Sequence, residues 1–132
     1  MIKNTKGGFQ PDEFKWLSTQ ENSNWWFQSR NRIILWAINR YIKKPKSFLE
    51  IGCGTGFVLQ AISKAFPFTK LHGDEFFEDG LKYAKIRVPE ASFRCLDATE
   101  MKDEDSYDAI GAFDVIEHIE YDNGALKNCF QA

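Results

Sequence analysis

Apolar residues along this chain recur in two rhythms, and the change from one to the other falls near Lys44-Pro45. Before it, Phe14 and Leu17 lie one helical turn apart, while Ile34, Ala37, Ile38, Tyr41 and Ile42 repeat at intervals of three and four. That spacing predicts a short helix to about Gln20, opened by Pro11-Asp12-Glu13, and a longer one over about 24–43. Acids at the start of the first helix and Arg40, Lys43 and Lys44 at the end of the second suit the two poles of a helix dipole, and Pro45 stops the run. Residues 1–10 read as a loose terminus.

After Pro45, short apolar runs alternate with helical stretches. Ser47–Ile51 reads as a buried strand, followed by a glycine-rich turn and a helix over about 56–66 that Pro67 stops. A second strand is predicted over 69–73. A helix follows from Phe77 to about Arg87, with Leu81, Ala84 and Val88 on one face. Strands over 92–96 and 107–113, a solvated acidic loop at Glu100–Asp105 and a last helix from about Asp122 complete the pattern. Strands spaced by helices predict a parallel sheet covered by helices, an α/β domain over 46–132 preceded by a helical cap or lid over 1–45.

Composition narrows the class. With 43% hydrophobic and 15% aromatic residues, disorder is excluded for the chain as a whole. A net charge of −2 supplies no field for nucleic acid or an anionic membrane, and neither is expected as a partner. The charge is divided, however: residues 1–45 hold eight Lys/Arg against three Asp/Glu and all four tryptophans, and the remainder holds nine against sixteen. Cys53, Cys95 and Cys129 are odd in number and lack metal-ligand spacing, so reduced thiols are expected rather than disulfides or zinc. With no signal-like apolar run and none of the ~20 residues that span a bilayer, a cytoplasmic location is the expectation.

The chemistry concentrates in Glu50-Ile51-Gly52-Cys53-Gly54-Thr55-Gly56, directly after a strand and opening a helix. Its glycines permit a sharp turn and let a ligand lie against bare backbone near a helix N-terminus. A dinucleotide site wants G-x-G-x-x-G, but here the spacing is G-x-G-x-G and Phe57 takes the place of the last glycine. Glu50 would set negative charge where a pyrophosphate should sit. The same charge suits a ligand carrying an ammonium and a sulfonium, which favours S-adenosylmethionine over a nicotinamide dinucleotide. Cys53 beside the ligand reads as packing, not as a nucleophile.

The segment Phe48–Gly56 (FLEIGCGTG) resembles the first motif of class I S-adenosylmethionine-dependent methyltransferases, the loop that cradles the methionine part of the cofactor. By that resemblance Glu50, Gly52, Cys53, Gly54 and Gly56 are cofactor contacts. Gly73-Asp74-Glu75 is similar to the strand end where the family has an acid on the ribose hydroxyls; Glu75 fits that place and Asp74 is the rival. Leu96-Asp97-Ala98 resembles the turn whose aspartate meets the adenine amino group. Gly111–Ile119 (GAFDVIEHI) is similar to the segment beside the methionine moiety, which implies Asp114 as a contact and His118 as a catalytic candidate. His118 reads equally as a general base, as a metal ligand with Glu117, or as a capping or packing residue.

The resemblance implies a Rossmann-like sheet in the order 3-2-1-4, methyl transfer to a small-molecule oxygen or carbon, and S-adenosylhomocysteine as product. A D/N-P-P-Y motif is absent, which turns expectation away from DNA or glutamine N-methylation. A catalytically silent cofactor-binding module or partner subunit is the alternative. The segment Trp25–Arg30 reads either as an aromatic, basic lid or as tryptophans anchoring the N-terminal helices on the sheet, with anchoring preferred. The family has seven strands and this chain supplies four, so it is expected to be the incomplete N-terminal part of a longer one. That leaves the apolar strand Ala109–Phe113 at an edge, which invites a homodimer through that strand or aggregation. Sedimentation at high protein concentration is expected to show a dimer; a persistent monomer counts against the pairing.

Overall fold

The computed structural model describes Gln10 and residues 12–132; the helix start at Pro11 and the loose segment 1–9 lie outside the described residues. Helices α1 (Glu13–Gln20) and α2 (Trp25–Ala37) precede β1 (Ser47–Ile51), α3 (Phe57–Ala65), β2 (Lys70–Glu75), α4 (Glu78–Arg87), β3 (Ser92–Cys95), β4 (Ala109–Ala112) and α5 (Asp122–Gln131). Asn24 opens α2 by accepting the Trp26 N–H at 2.9 Å. The expected single helix over 24–43 instead passes into a π-turn at Ile38–Ile42. The Lys43 N–H closes that turn on the Ile38 carbonyl at 2.8 Å, with Lys43 itself at φ 71.

The four strands are parallel in the order β3-β2-β1-β4. Alternation along β1 divides the core. Phe48 packs with Ile34 of α2, Ile38 of the π-turn that follows it, Leu59 and Ile62 of α3, and Leu81 of α4. Leu49 and Ile51 point to the opposite face and pack with Ala98, Met101 and Ala125. Helices therefore cover both faces of the sheet, as expected of this fold class.

Three further expectations are corrected. β2 extends past Gly73 through Glu75, because Arg94 on neighbouring β3 grips the Asp74 carboxylate with Nε and Nη2, each at 2.7 Å, and makes that buried acid acceptable inside the sheet. The tryptophans do not anchor the N-terminal helices: Trp16, Trp25, Trp26 and Trp36 are all exposed, and Phe14, Leu17, Ile34 and Ile38 are buried in that role. Of the acidic loop, Met101 is buried and Asp103 bonds Arg94 and Tyr107, while Glu104 and Asp105 remain solvated.

Gly52, Gly54 and Gly56 hold φ values of 67, 52 and 77, so the loop from β1 to α3 turns through left-handed backbone at every second residue. A Cβ on Gly56 would stand 3.1 Å from the backbone and side chain of Ala84, so this glycine also sets how closely α3 approaches α4. Gly56→Ala combines left-handed strain with that crowding and is expected to cost about 2 kcal/mol. Denaturant unfolding checks this as a lowered midpoint at unchanged slope.

Candidate functional site

A cavity of about 490 Å³ opens above the C-terminal ends of the strands, where ligands of open parallel sheets bind. Glu50, Gly52, Cys53, Gly54, Glu75, Asp97, Ala98, Asp114 and His118 all line it. Gly56 does not; as the helix cap packed on Ala84, it serves the shape of the loop rather than its surface.

Glu50 is the penultimate residue of β1 and is 3% exposed. In register its neighbours are Gly73 on β2 and Gly111 on β4, so no side chain stands beside it from either adjoining strand. Its Oε2 is buried without a hydrogen-bond partner among the described residues. Burial pushes the carboxyl well above the usual carboxylate range, with the nearby Arg30 guanidinium opposing and Glu75 and Glu21 reinforcing the shift.

Glu75 ends β2 with both oxygens engaged: Oε2 accepts the Gly54 N–H at 2.8 Å and Oε1 the Phe77 N–H at 3.0 Å. It thus ties the glycine loop to the strand beside it, and the second lone pair of each oxygen is available to further donors. Burial pushes this carboxyl up as well, and its bonds to Phe77 and Gly54 oppose that. Asp74 is turned away to Arg94 and is not part of the cavity wall.

Asp97 caps the turn Ala98–Glu100, its Oδ1 accepting the Thr99 N–H at 2.8 Å and the Thr99 hydroxyl at 2.7 Å. Among the described residues only that oxygen is engaged. Asp114, at φ 54, accepts from Arg30 Nη1 at 2.6 Å across the cavity mouth. His118 lies in the turn Ile116–His118 and faces the cavity, whereas Glu117 does not line it, so the two do not converge there. No group of three or more possible metal ligands occurs among the described residues. Burial and the carboxylates of Glu50, Glu75 and Asp74 push the Cys53 thiol up, which makes it a poor nucleophile.

Sequence reasoning did not single out Thr55, Glu21 or Arg87. Thr55 sits within the glycine loop, where a hydroxyl among glycines is a visible cue; Glu21 and Arg87 carry no sequence signal, because they meet 66 residues apart. Arg30, within the segment read as lid or anchor, lines the cavity. Its guanidinium lies 5.1 Å from the Trp26 ring centroid and 5.4 Å from that of Phe27, and its Nε is buried without a partner among the described residues.

A β3-β2-β1-β4 sheet, a glycine loop bearing a buried carboxyl, and acids at the ends of the next two strands define an α/β domain built to hold a nucleoside-bearing cofactor. The model of the family described as methyltransferase domain matches residues 49–132, and the chain belongs to that family. A malonyl-[acyl-carrier protein] O-methyltransferase of Bacillus cereus is 34% identical over 85 residues, 63% of this chain and 32% of that protein. The chain thus spans about a third of that relative's length.

Among solved structures, a protein of Methanococcus maripaludis described as an S-adenosyl-L-methionine-dependent methyltransferase superposes with a TM-score of 0.82. It is 18% identical, over 99% of this chain and 62% of that one, a likeness of fold. The plantazolicin methyltransferase BpumL, solved with S-adenosylhomocysteine and a pentazolic desmethylPZN analog, gives a TM-score of 0.71 at 27% identity, over 91% of this chain and 48% of that one.

The raised Glu50 carboxyl fixes the sign of a pH effect. Its folded-state value lies above that of the unfolded chain, so its contribution to stability is present in acid and lost as pH rises through the folded value. Glu50→Gln is therefore expected to melt at a higher temperature than the parent at neutral pH, with the difference closing as the pH falls below the ordinary carboxylate range. Thermal melts followed by circular dichroism across that range check both statements.

Proposed function

We propose that this chain is the cofactor-binding part of an S-adenosylmethionine-dependent methyltransferase acting on an oxygen of a small or carrier-borne acceptor. The single observation that carries the reading is Glu50, a buried carboxyl with an unpartnered oxygen at the foot of a glycine-lined cavity. Such a group calls for a cation, and the charge offered to it in this fold is the ammonium of a methionine-like zwitterion. Arg30, with its unpartnered Nε at the same cavity, is the counter-charge for the carboxylate end. Glu75 would accept from ribose hydroxyls through its remaining lone pairs, and the free oxygen of Asp97 from the adenine amino group.

When bound, S-adenosylmethionine supplies an electrophilic methyl group on a sulfonium. The protein's part is to hold an acceptor lone pair in line with that methyl and to exclude water, which accounts for most of the acceleration such a site can provide. A carboxylate acceptor needs no base. For a hydroxyl acceptor, His118 is the imidazole on the cavity wall that would take the proton. Methyl transfer to oxygen is supported by the Bacillus cereus relative, a malonyl-[acyl-carrier protein] O-methyltransferase.

The same reading includes two copies pairing through β4, an edge of the described sheet with Leu126 and Phe130 exposed on the neighbouring helix. Free thiols at Cys53, Cys95 and Cys129 support the cytoplasm as its compartment. No helix among the described residues is long and apolar enough to cross a membrane.

Calorimetric titration of S-adenosylhomocysteine into the chain is expected to give saturable one-site binding. Glu75→Ala should weaken it by about 10- to 100-fold, the loss expected for hydrogen bonds to a charged group. Absence of binding by a folded chain would overturn the cofactor assignment.

A further inference from the structure

Arg87 ends α4 and does not line the cavity, yet it holds two pieces of the cavity wall together. Its Nη1 donates to Glu21 Oε2 at 2.6 Å, to the Thr55 hydroxyl oxygen at 2.7 Å and to the Thr55 carbonyl at 3.2 Å. Its Nη2 donates to the Ser18 carbonyl at 3.2 Å, and its guanidinium lies 5.3 Å from the Phe57 ring centroid at the start of α3. The Thr55 hydroxyl in turn donates to the Glu21 carboxylate, 2.8 and 2.6 Å from its two oxygens. Side chains of Arg87 and Glu21 are 10% and 4% exposed, so solvent does little to screen the pair.

Glu21 is the residue that closes α1, and it lines the cavity with Phe14 and Leu17 of that helix. Thr55 belongs to the glycine loop. One buried ion pair therefore joins the N-terminal helical segment, the loop and α4, elements far apart in sequence. A buried carboxylate deprived of its cation does not stay buried, so losing Arg87 would draw Glu21 toward water and lift the end of α1 from the cavity.

We propose that Arg87 is a positioning residue: its fork latches α1 onto the glycine loop, so that the cofactor side of the cavity is complete only while the N-terminal helices are seated. The proposal rests on the reading of the cavity as an S-adenosylmethionine site for its binding consequence, and on the structure alone for the latch. Lysine retains charge but cannot serve Glu21, Thr55 and the Ser18 carbonyl from one planar group.

The test uses Arg87→Lys, Arg87→Met and the double variant Glu21→Gln/Arg87→Met, which removes both charges and guards against a fold lost to one unpaired acid. Amide hydrogen exchange of the ligand-free chains is expected to rise over residues 13–21 in every variant while β1 and β2 stay protected. S-adenosylhomocysteine affinity is expected to fall by about tenfold in each, within the usual range of coupling between sites. A residue of merely structural importance would lower the melting temperature and leave both readouts at parent values; that result overturns the latch. Exchange that rises over 13–21 with unchanged affinity overturns the coupling to the cofactor. A parent chain that fails to bind at all overturns the cofactor reading instead, and the exchange data still decide the latch.

Discussion

Glu50 is carried into the fold at a cost, because a carboxyl leaving water loses solvation that no described residue fully restores. The surrounding architecture follows from accommodating it. The strands on either side present glycine at the matching positions, and the chain turns directly after β1. That turn is left-handed at three alternate residues and needs glycine there. The neighbouring Glu75 then holds the turned loop by accepting the Gly54 N–H. An empty, dry pocket would have no reason to keep this arrangement, since a glutamine or an apolar residue would fold more comfortably.

The uneven charge of the chain acquires a meaning in the same terms. Acids accumulate at the strand ends, where Glu50, Glu75, Asp97 and Asp114 face one cavity. The helices that cover this cavity bring basic and aromatic groups to it, with Arg30 reaching Asp114 from α2. Glu21 reverses that trend, as an acid at the end of α1 held by Arg87 of α4. The N-terminal helices and the elements that follow are thus joined by ion pairs of both polarities.

Much of this was legible in the sequence, for physical reasons that can be named. The β1 strand, the glycine loop and Glu50 follow from short-range rules, apolar runs and glycine where backbone turns left-handed, whereas Glu75 and Asp97 are legible only through resemblance to the family's motifs. Glu75 is preferred to Asp74 on resemblance alone, and the physical reason, Arg94 drawing Asp74 away across the sheet, is not visible in the sequence. The tryptophans misled, because burial of the N-terminal helices is achieved by Phe14, Leu17, Ile34 and Ile38 while the larger rings stay outside. The π-turn after Ala37 escaped notice since the apolar spacing of an α-helix and of one widened turn differ by a single residue. Pairings such as Glu21 with Arg87 depend on the folded path of the chain and leave no local trace.

Strand order also has a consequence in time. β1 is central, flanked by β2 and by β4, and its start meets the entry to β4 through a contact between Ser47 and Asp108, 61 residues apart. Parallel pairings of that reach are slow to form, because the entropy of closing a long loop is lost before the contact returns anything. As the ribosome delivers the chain from its N-terminus, β1, β2 and β3 can associate with α3 and α4 while one flank of β1 is still bare. The nascent protein therefore passes through an interval with its central strand open on one side, and β4 must arrive before a foreign strand does.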